Sequence, residues 1–204
     1  MHVVCSDLEG IFTPEIWIEF AEKTGIPELR LTTRDISDYD ELMRGRLAIL
    51  NEKGFTLKDI QEVVATMEPL EGAVEFLDWL RSEVPVIIVS DTYEEFAKPL
   101  MAKLKWPILL CHDLTIAPDG TIRTYNLRQQ NSKRRALQAF KGLNYDTIGI
   151  GDSYNDIDML LEADRALLFR PPDNVVEEFP QLPVCSDYDE LRRLITEILD
   201  RDSA

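Results

Sequence analysis

The chain has 204 residues, 45% of them hydrophobic and 29% charged, a balance that fits a folded protein with one core or one core plus a small accessory lobe. Its formal net charge of −16 makes nucleic acid a poor partner and requires any site for an anion to be locally positive. No window approaches the roughly 20 apolar residues of a membrane span, the first residues lack a signal-type apolar core, and three widely spaced cysteines read as reduced thiols, so a cytoplasmic protein with no membrane partner is expected.

Residues 3–6, VVCS, fit a short buried strand that ends in Asp7-Leu8-Glu9-Gly10. Pro14 then opens PEIWIEFAEKTG, with proline suited to a helix start and Gly25 to its end. After a polar connection, DYDELMRGRLAILNEKG spaces Leu42, Leu47, Ile49 and Leu50 as a helix does, and Gly54 suits its C-cap. Thr56-Leu57-Lys58-Asp59 starts LKDIQEVVATM in the manner of a capping box. Residues 14–69 therefore read as helices without strands.

From Pro69 onward, helix and strand alternate. EGAVEFLDWLRSEV is amphipathic, PVIIVSD is a buried strand, YEEFAKPLMAKL is a helix bent by Pro99, and WPILLCHD is another apolar run. LTIAPDGTIRTY reads as a hairpin around Pro118-Asp119-Gly120. SKRRALQAFKGL is helical, DTIGIGDS is a strand with a glycine-rich exit, NDIDMLLEA is a helix and RALLFR a strand, before short and long helices close the chain. Repeated β–α units imply an α/β fold, a doubly wound and mostly parallel sheet covered on both faces. The first strand belongs with this region. The core is then discontinuous (1–13 and 70–204), and 14–69 is an all-helical insert.

In open parallel sheets, ligands bind beyond the carboxyl ends of the strands. The residues expected there are Asp7, Glu9, the Ser90-Asp91-Thr92 run and the Gly151-Asp152-Ser153-Tyr154-Asn155-Asp156 run, with Lys133 at a helix start between the last two. Asp7 and Glu9 would repel each other unless they face a divalent cation shared with Asp152, with Asp156 nearby. Acidic oxygens with no His or Cys beside them suit Mg²⁺ better than zinc. Lys133 and Ser90 would face phosphate oxygens, and two carboxylates beside a metal allow one to act as nucleophile and the other to move protons. No G-x-x-x-x-G-K-[ST] loop occurs, which argues against an ATP-dependent kinase. A receiver-like phosphoaspartate switch shares such an acidic site but gains nothing from a helical insert.

The order D-L-E-G, S-D, Lys, G-D-S-Y-N-D resembles the haloacid dehalogenase superfamily of aspartyl-phosphate phosphotransferases, and the insert resembles its C1-type cap. PEIWIEFAEKTG, PLEGAVEF, LLCH and GDSYND are similar to the phosphoserine phosphatase branch, and most of all to its bifunctional phosphoserine phosphatase/homoserine phosphotransferase members, over essentially the whole chain. The resemblance implies Mg²⁺-dependent hydrolysis of O-phospho-L-serine through an aspartyl-phosphate, phosphoryl transfer to L-homoserine, a place in serine and threonine biosynthesis, and a homodimer. It makes Asp7 the nucleophile, Glu9 the proton donor and acceptor, and Asp7, Asp152 and the Glu9 backbone carbonyl the metal ligands. Ser90, with Asp91 beside it, Lys133 and Asn155 contact the phosphate or substrate, and Asp156 orients Lys133 or holds a metal-bound water. The choice of Lys133 over Arg134 and Arg135 rests on the resemblance. The resemblance also implies that Glu15 meets the substrate ammonium and Arg46 its carboxylate, with Arg44 a competing candidate. A superfamily phosphatase for another small phosphate ester is the alternative reading. One departure stands out: the first motif is D-x-E where the superfamily usually has D-x-D. His2 and His112 show no partners in the sequence and receive no role.

Overall fold

The computed structural model describes residues 1–32, 35–36 and 38–201. Its seven-stranded sheet contains β1 (His2–Ser6), β2 (Val86–Tyr93), β3 (Ile108–Ile116), β4 (Ile122–Asn126), β5 (Asp146–Gly151), β6 (Arg165–Phe169) and β7 (Val184–Cys185), in the order β4-β3-β2-β1-β5-β6-β7. All neighbours are parallel except β3 and β4, which form the expected hairpin.

Two-residue periodicity sends alternate strand residues to opposite faces, and each face needs its own helical cover. Val4, Val86, Ile88, Ile148, Ile150 and Phe169 look to one side; Val3, Cys5, Ile87, Val89 and Leu168 look to the other. The second face is covered by α6 (Ser132–Gly142), α7 (Ile157–Glu162) and α8 (Asp173–Glu178), through residues such as Leu137, Met159 and Val175. The first face takes α4 (Ala73–Glu83), α5 (Glu94–Lys103) and α9 (Tyr188–Arg201).

The stretch 14–69 contains no strand among the described residues. It holds α1 (Ile16–Thr24), α2 (Tyr39–Lys53) and α3 (Leu57–Thr66), plus a 3₁₀ turn over Pro27–Arg30. Part of the polar connection before α2, residues 33, 34 and 37, lies outside the described residues. Gly25 and Gly54 end α1 and α2 in the left-handed region (φ +69° and +73°), where a Cβ would be strained. At α3 the Thr56–Asp59 capping box is formed in both directions. Trp17, Phe20 and Leu50 of these helices join the core of the first face, and Trp17 meets Phe96 of α5 edge-on at 5.5 Å.

Three details differ from the sequence reading. α1 starts at Ile16, because Glu15 stands at its N-cap with extended backbone (φ −69°, ψ 117°) and Pro14 precedes it. β2 runs on through Ser90-Asp91-Thr92 to Tyr93, with its pairing to β3 interrupted between Val89 and Tyr93. β7 was not anticipated, since two residues carry no periodicity to detect.

Candidate active site

The register of β1 against β2 and β5 brings three carboxyl ends level: Ser6 pairs with Ile88 on one side and Ile150 on the other. Asp7 leaves the sheet there, its N–H donating to Ile150 O at 2.9 Å. The Asp7 carboxylate is buried; Oδ1 accepts the Leu8 N–H at 2.8 Å, and Oδ2 lies 2.9 Å from Lys133 Nζ. Lys133, in the first turn of α6, is 3% exposed and also donates to Asp156 Oδ1 at 2.7 Å. Asp156 Oδ2 in turn accepts the N–H groups of Asp152 and Ser153 at 3.0 and 3.2 Å, which closes the turn after β5.

Oxygens of Asp7, Asp152 and Asp156 fall within 4.8 Å of one another. Burial, then the Asp156 charge, pushes the Asp7 carboxyl well above its ordinary range; the same two causes push Asp152 up to about 7. Burial opposes the charge on Lys133, but Asp156, Asp7 and Asp91 outweigh it and raise the ammonium well above the usual value. Three crowded acids against one lysine leave an excess of negative charge that a cation would relieve. The donor set is oxygen-only, which suits Mg²⁺. Gly10 supports the fit: it takes φ +78°, and a Cβ there would overlap the Asp152 carboxylate, so only glycine lets the loop after β1 close on that group.

Glu9 is placed differently. Its side chain lies outside the three-acid cluster, and Oε2 accepts the Ile16 N–H at 2.8 Å. It therefore caps α1 from outside the helix, a task that Glu15 at the N-cap position leaves unfilled. The extra methylene of the D-x-E motif supplies this reach. Burial, then the Glu15 charge, pushes the Glu9 carboxyl up to about 8.

One cavity of about 530 Å³ is lined by Asp7, Glu9, Glu15, Arg46, Ser90, Asp91, Lys133, Asp152 and Asn155 together. Asp156 lies behind Lys133, fully buried. Buried Ser90 accepts the Thr92 N–H on Oγ at 3.2 Å. Arg46 is buried, with its guanidinium carbon 4.5 Å from the Trp17 ring centroid and Nη2 donating to Leu31 O at 2.7 Å. Arg44, by contrast, is exposed and 3.8 Å from Asp40. Arg134 pairs with Glu162 at the surface, and Arg135 is exposed, so Lys133 is the base of that run that faces the acids.

Two neighbours were not legible in the sequence. His112 is buried on β3 with Nε2 3.4 Å from Asp91 Oδ1, and Tyr39 of α2 donates to Asp91 O at 3.2 Å while sharing a 2.7 Å hydrogen bond with Tyr93 Oη. No local pattern marks a strand histidine or a first-turn tyrosine whose partners are distant in the chain.

A model of the haloacid dehalogenase-like hydrolases matches residues 5–164. The chain is 56% identical over 193 residues to a protein of Pseudomonas aeruginosa named phosphoserine phosphatase ThrH, covering 95% of this chain and 94% of that one. It is 54% identical over 202 residues to a phosphoserine phosphatase of Pseudomonas syringae pv. tomato, covering 99% and 85%. Among solved structures, phosphoserine phosphatase in its apo form superposes with a TM-score of 0.76 at 20% identity, over 96% of this chain and 98% of the other, a likeness of fold. With a family match spanning both the acidic strand ends and the helical insert, the chain belongs to the haloacid dehalogenase-like hydrolases.

Proposed function

We propose that the protein is an Mg²⁺-dependent cytoplasmic phosphoserine phosphatase that also passes the phosphoryl group to L-homoserine. The observation that carries this reading is the single cavity in which the Asp7–Lys133 pair faces Glu15 and Arg46. An identity of 56% to a relative named phosphoserine phosphatase supports the same substrate.

In this reading an Asp7 carboxylate oxygen attacks phosphorus in line, and the bond to the seryl oxygen breaks with its electron pair leaving on that oxygen. The departing oxygen takes the Glu9 proton, which a carboxyl with its pKa near 8 still holds at neutral pH. In the second half, water or the homoserine hydroxyl gives a proton back to Glu9 as its oxygen attacks phosphorus and the Asp7 oxygen is released. Lys133 and Ser90 hold the phosphoryl oxygens, and Asp156 fixes Lys133 by their 2.7 Å bond. Mg²⁺ would be held by Asp7, Asp152 and the Glu9 carbonyl, and would supply positive charge opposite the phosphate. Glu15 receives the amino-acid ammonium and Arg46 its carboxylate, groups that serine and homoserine share. Residues 14–69 act as a cap whose closure excludes water and favours the alcohol acceptor.

With Mg²⁺ the purified protein should release phosphate from phosphoserine and stop on addition of EDTA. Homoserine should add a new phosphomonoester signal in ³¹P NMR. Turnover of other small esters with phosphoserine inert would favour the broader phosphatase reading, and an unchanged spectrum at saturating homoserine would remove the transferase. Arg46→Ala should damage phosphoserine turnover far more than that of an aryl phosphate; equal losses would show that Arg46 does not read the carboxylate.

A further inference from the structure

A negative residue, Asp91, lies in the pocket where a phosphate dianion is expected to bind. The Lys133 ammonium has three hydrogens. Two are engaged by Asp156 Oδ1 at 2.7 Å and Asp7 Oδ2 at 2.9 Å. Asp91 Oδ2 lies 3.9 Å from the same nitrogen, too far for a hydrogen bond. A side-chain rotation that closed about 1 Å of this gap would turn this long ion pair into a third charge-assisted hydrogen bond. Lys133 would then be saturated, and a further carboxylate would occupy the place of a phosphoryl oxygen.

Two groups face the other oxygen of Asp91. Oδ1 accepts from Ser132 Oγ at 3.1 Å and faces His112 Nε2 at 3.4 Å. His112 can serve only as a donor here, because its Nδ1 already accepts the Arg128 N–H at 3.2 Å and so carries no hydrogen. The ring is packed in, being 4% exposed on a strand residue in register with Tyr93, whose ring centroid is 6.3 Å away. Burial opposes the Asp91 charge, yet Lys133 and the hydrogens from His112 and Ser132 keep its carboxyl below the ordinary range, so the group to be restrained is an anion.

We propose that His112 is a positioning residue: by tethering the Asp91 carboxylate, it keeps one Lys133 hydrogen open to the transferring phosphoryl group. This rests on the phosphatase reading above, but concerns phosphate binding whatever the ester. The competing role, an anchor for the Arg128 backbone alone, is separable by shape. In His112→Gln the amide nitrogen reaches the Nε2 position and keeps the donor to Asp91. In His112→Asn the amide oxygen replaces Nδ1 and keeps the Arg128 contact, but nothing reaches Asp91.

The test measures the affinity of inorganic phosphate by calorimetry in MgCl₂, together with KM and kcat for phosphoserine and the imidazole ¹⁵N shifts of the unmodified protein. His112→Asn should weaken phosphate binding and raise KM by about tenfold, the worth of one charge-assisted hydrogen bond, with kcat changed less. His112→Gln should stay within about threefold of the unmodified protein. Adding Asp91→Asn to His112→Asn should restore phosphate binding, because an uncharged amide no longer competes for Lys133. The ¹⁵N spectrum should place the hydrogen on Nε2. Equal losses in both His112 variants, no loss in His112→Asn, failure of the Asp91→Asn rescue, or a hydrogen on Nδ1 would each overturn the proposal. If phosphoserine is not a substrate, the reading of function falls, while the phosphate affinities still decide the role of His112.

Discussion

On the proposed reading, Glu9 couples the chemistry of the site to the stability of α1. Its Oε2 holds the Ile16 N–H while its raised pKa, near 8, suits it to carry a proton. The two tasks separate on substitution. Glu9→Gln keeps an oxygen that accepts from Ile16, so the melting temperature should hold, while kcat should fall by about 10²–10⁴-fold for want of the proton. Glu9→Asp is one methylene short of the helix and should lose about 1 kcal/mol of stability with the cap. Thermal unfolding and steady-state assays on the two variants check both halves; an unchanged melting temperature in Glu9→Asp would show that the cap contributes nothing. Asp7→Asn removes the proposed nucleophile, and turnover should drop by at least about 10³-fold. Retained turnover in that variant would end the aspartyl-phosphate scheme. The acids themselves were legible because strand-end carboxylates with no apolar role are conspicuous in sequence. The capping contact of Glu9, the burial of Arg46 against Trp17 and the tether from His112 were not, since each depends on a partner supplied by folding.

At the scale of elements, the turns after β1 and β5 interlock, and glycine is what lets them approach. Gly10 faces the Asp152 carboxylate and Gly151 the Asp156 side chain, with no room for a Cβ at either. Gly10 carries the added demand of φ +78°. Gly10→Ala should therefore leave the sheet and its helices folded but displace Asp152, weakening Mg²⁺ binding and turnover together by about tenfold or more, the order expected when a group orienting metal ligands is lost. Circular dichroism and a Mg²⁺ titration of activity make the comparison; an unchanged Mg²⁺ dependence would mean that Asp152 can move without consequence. Elements announced by local chemistry were readable in advance: Gly25 and Gly54 stop α1 and α2, and the Thr56–Asp59 box starts α3. Elements made by tertiary pairing were not. β7 exists because Val184 and Cys185 meet Leu168 and Phe169, and β2 extends past Val89 only because Tyr93 pairs again with His112.

For the whole molecule, the acidic centre should make stability depend on pH and on the proposed cation together. Asp152 has its carboxyl raised from 3.8 to about 7, and Asp7 is raised in the same direction. Between about pH 4 and 7 the metal-free folded chain thus holds protons that the unfolded chain has already released. This contribution to stability is complete below about pH 4 and is lost as pH rises through 7. Metal binding needs the ionised carboxylates, so Mg²⁺ affinity climbs through the same window. The increase in melting temperature produced by Mg²⁺ should therefore be small at pH 5 and large at pH 8. At about 100 times the dissociation constant, the gain amounts to about 2.7 kcal/mol, or about 5–10 °C for a domain of this size. Asp152→Asn should remove most of the increment at pH 8 and raise the metal-free melting temperature there, because one of the repelling charges is gone. Scanning fluorimetry with MgCl₂ or EDTA reads the Mg²⁺ increment in all four combinations of protein and pH. An increment as large at pH 5 as at pH 8, or one that survives Asp152→Asn intact, would mean that the cation acts somewhere other than the carboxyl ends of β1 and β5.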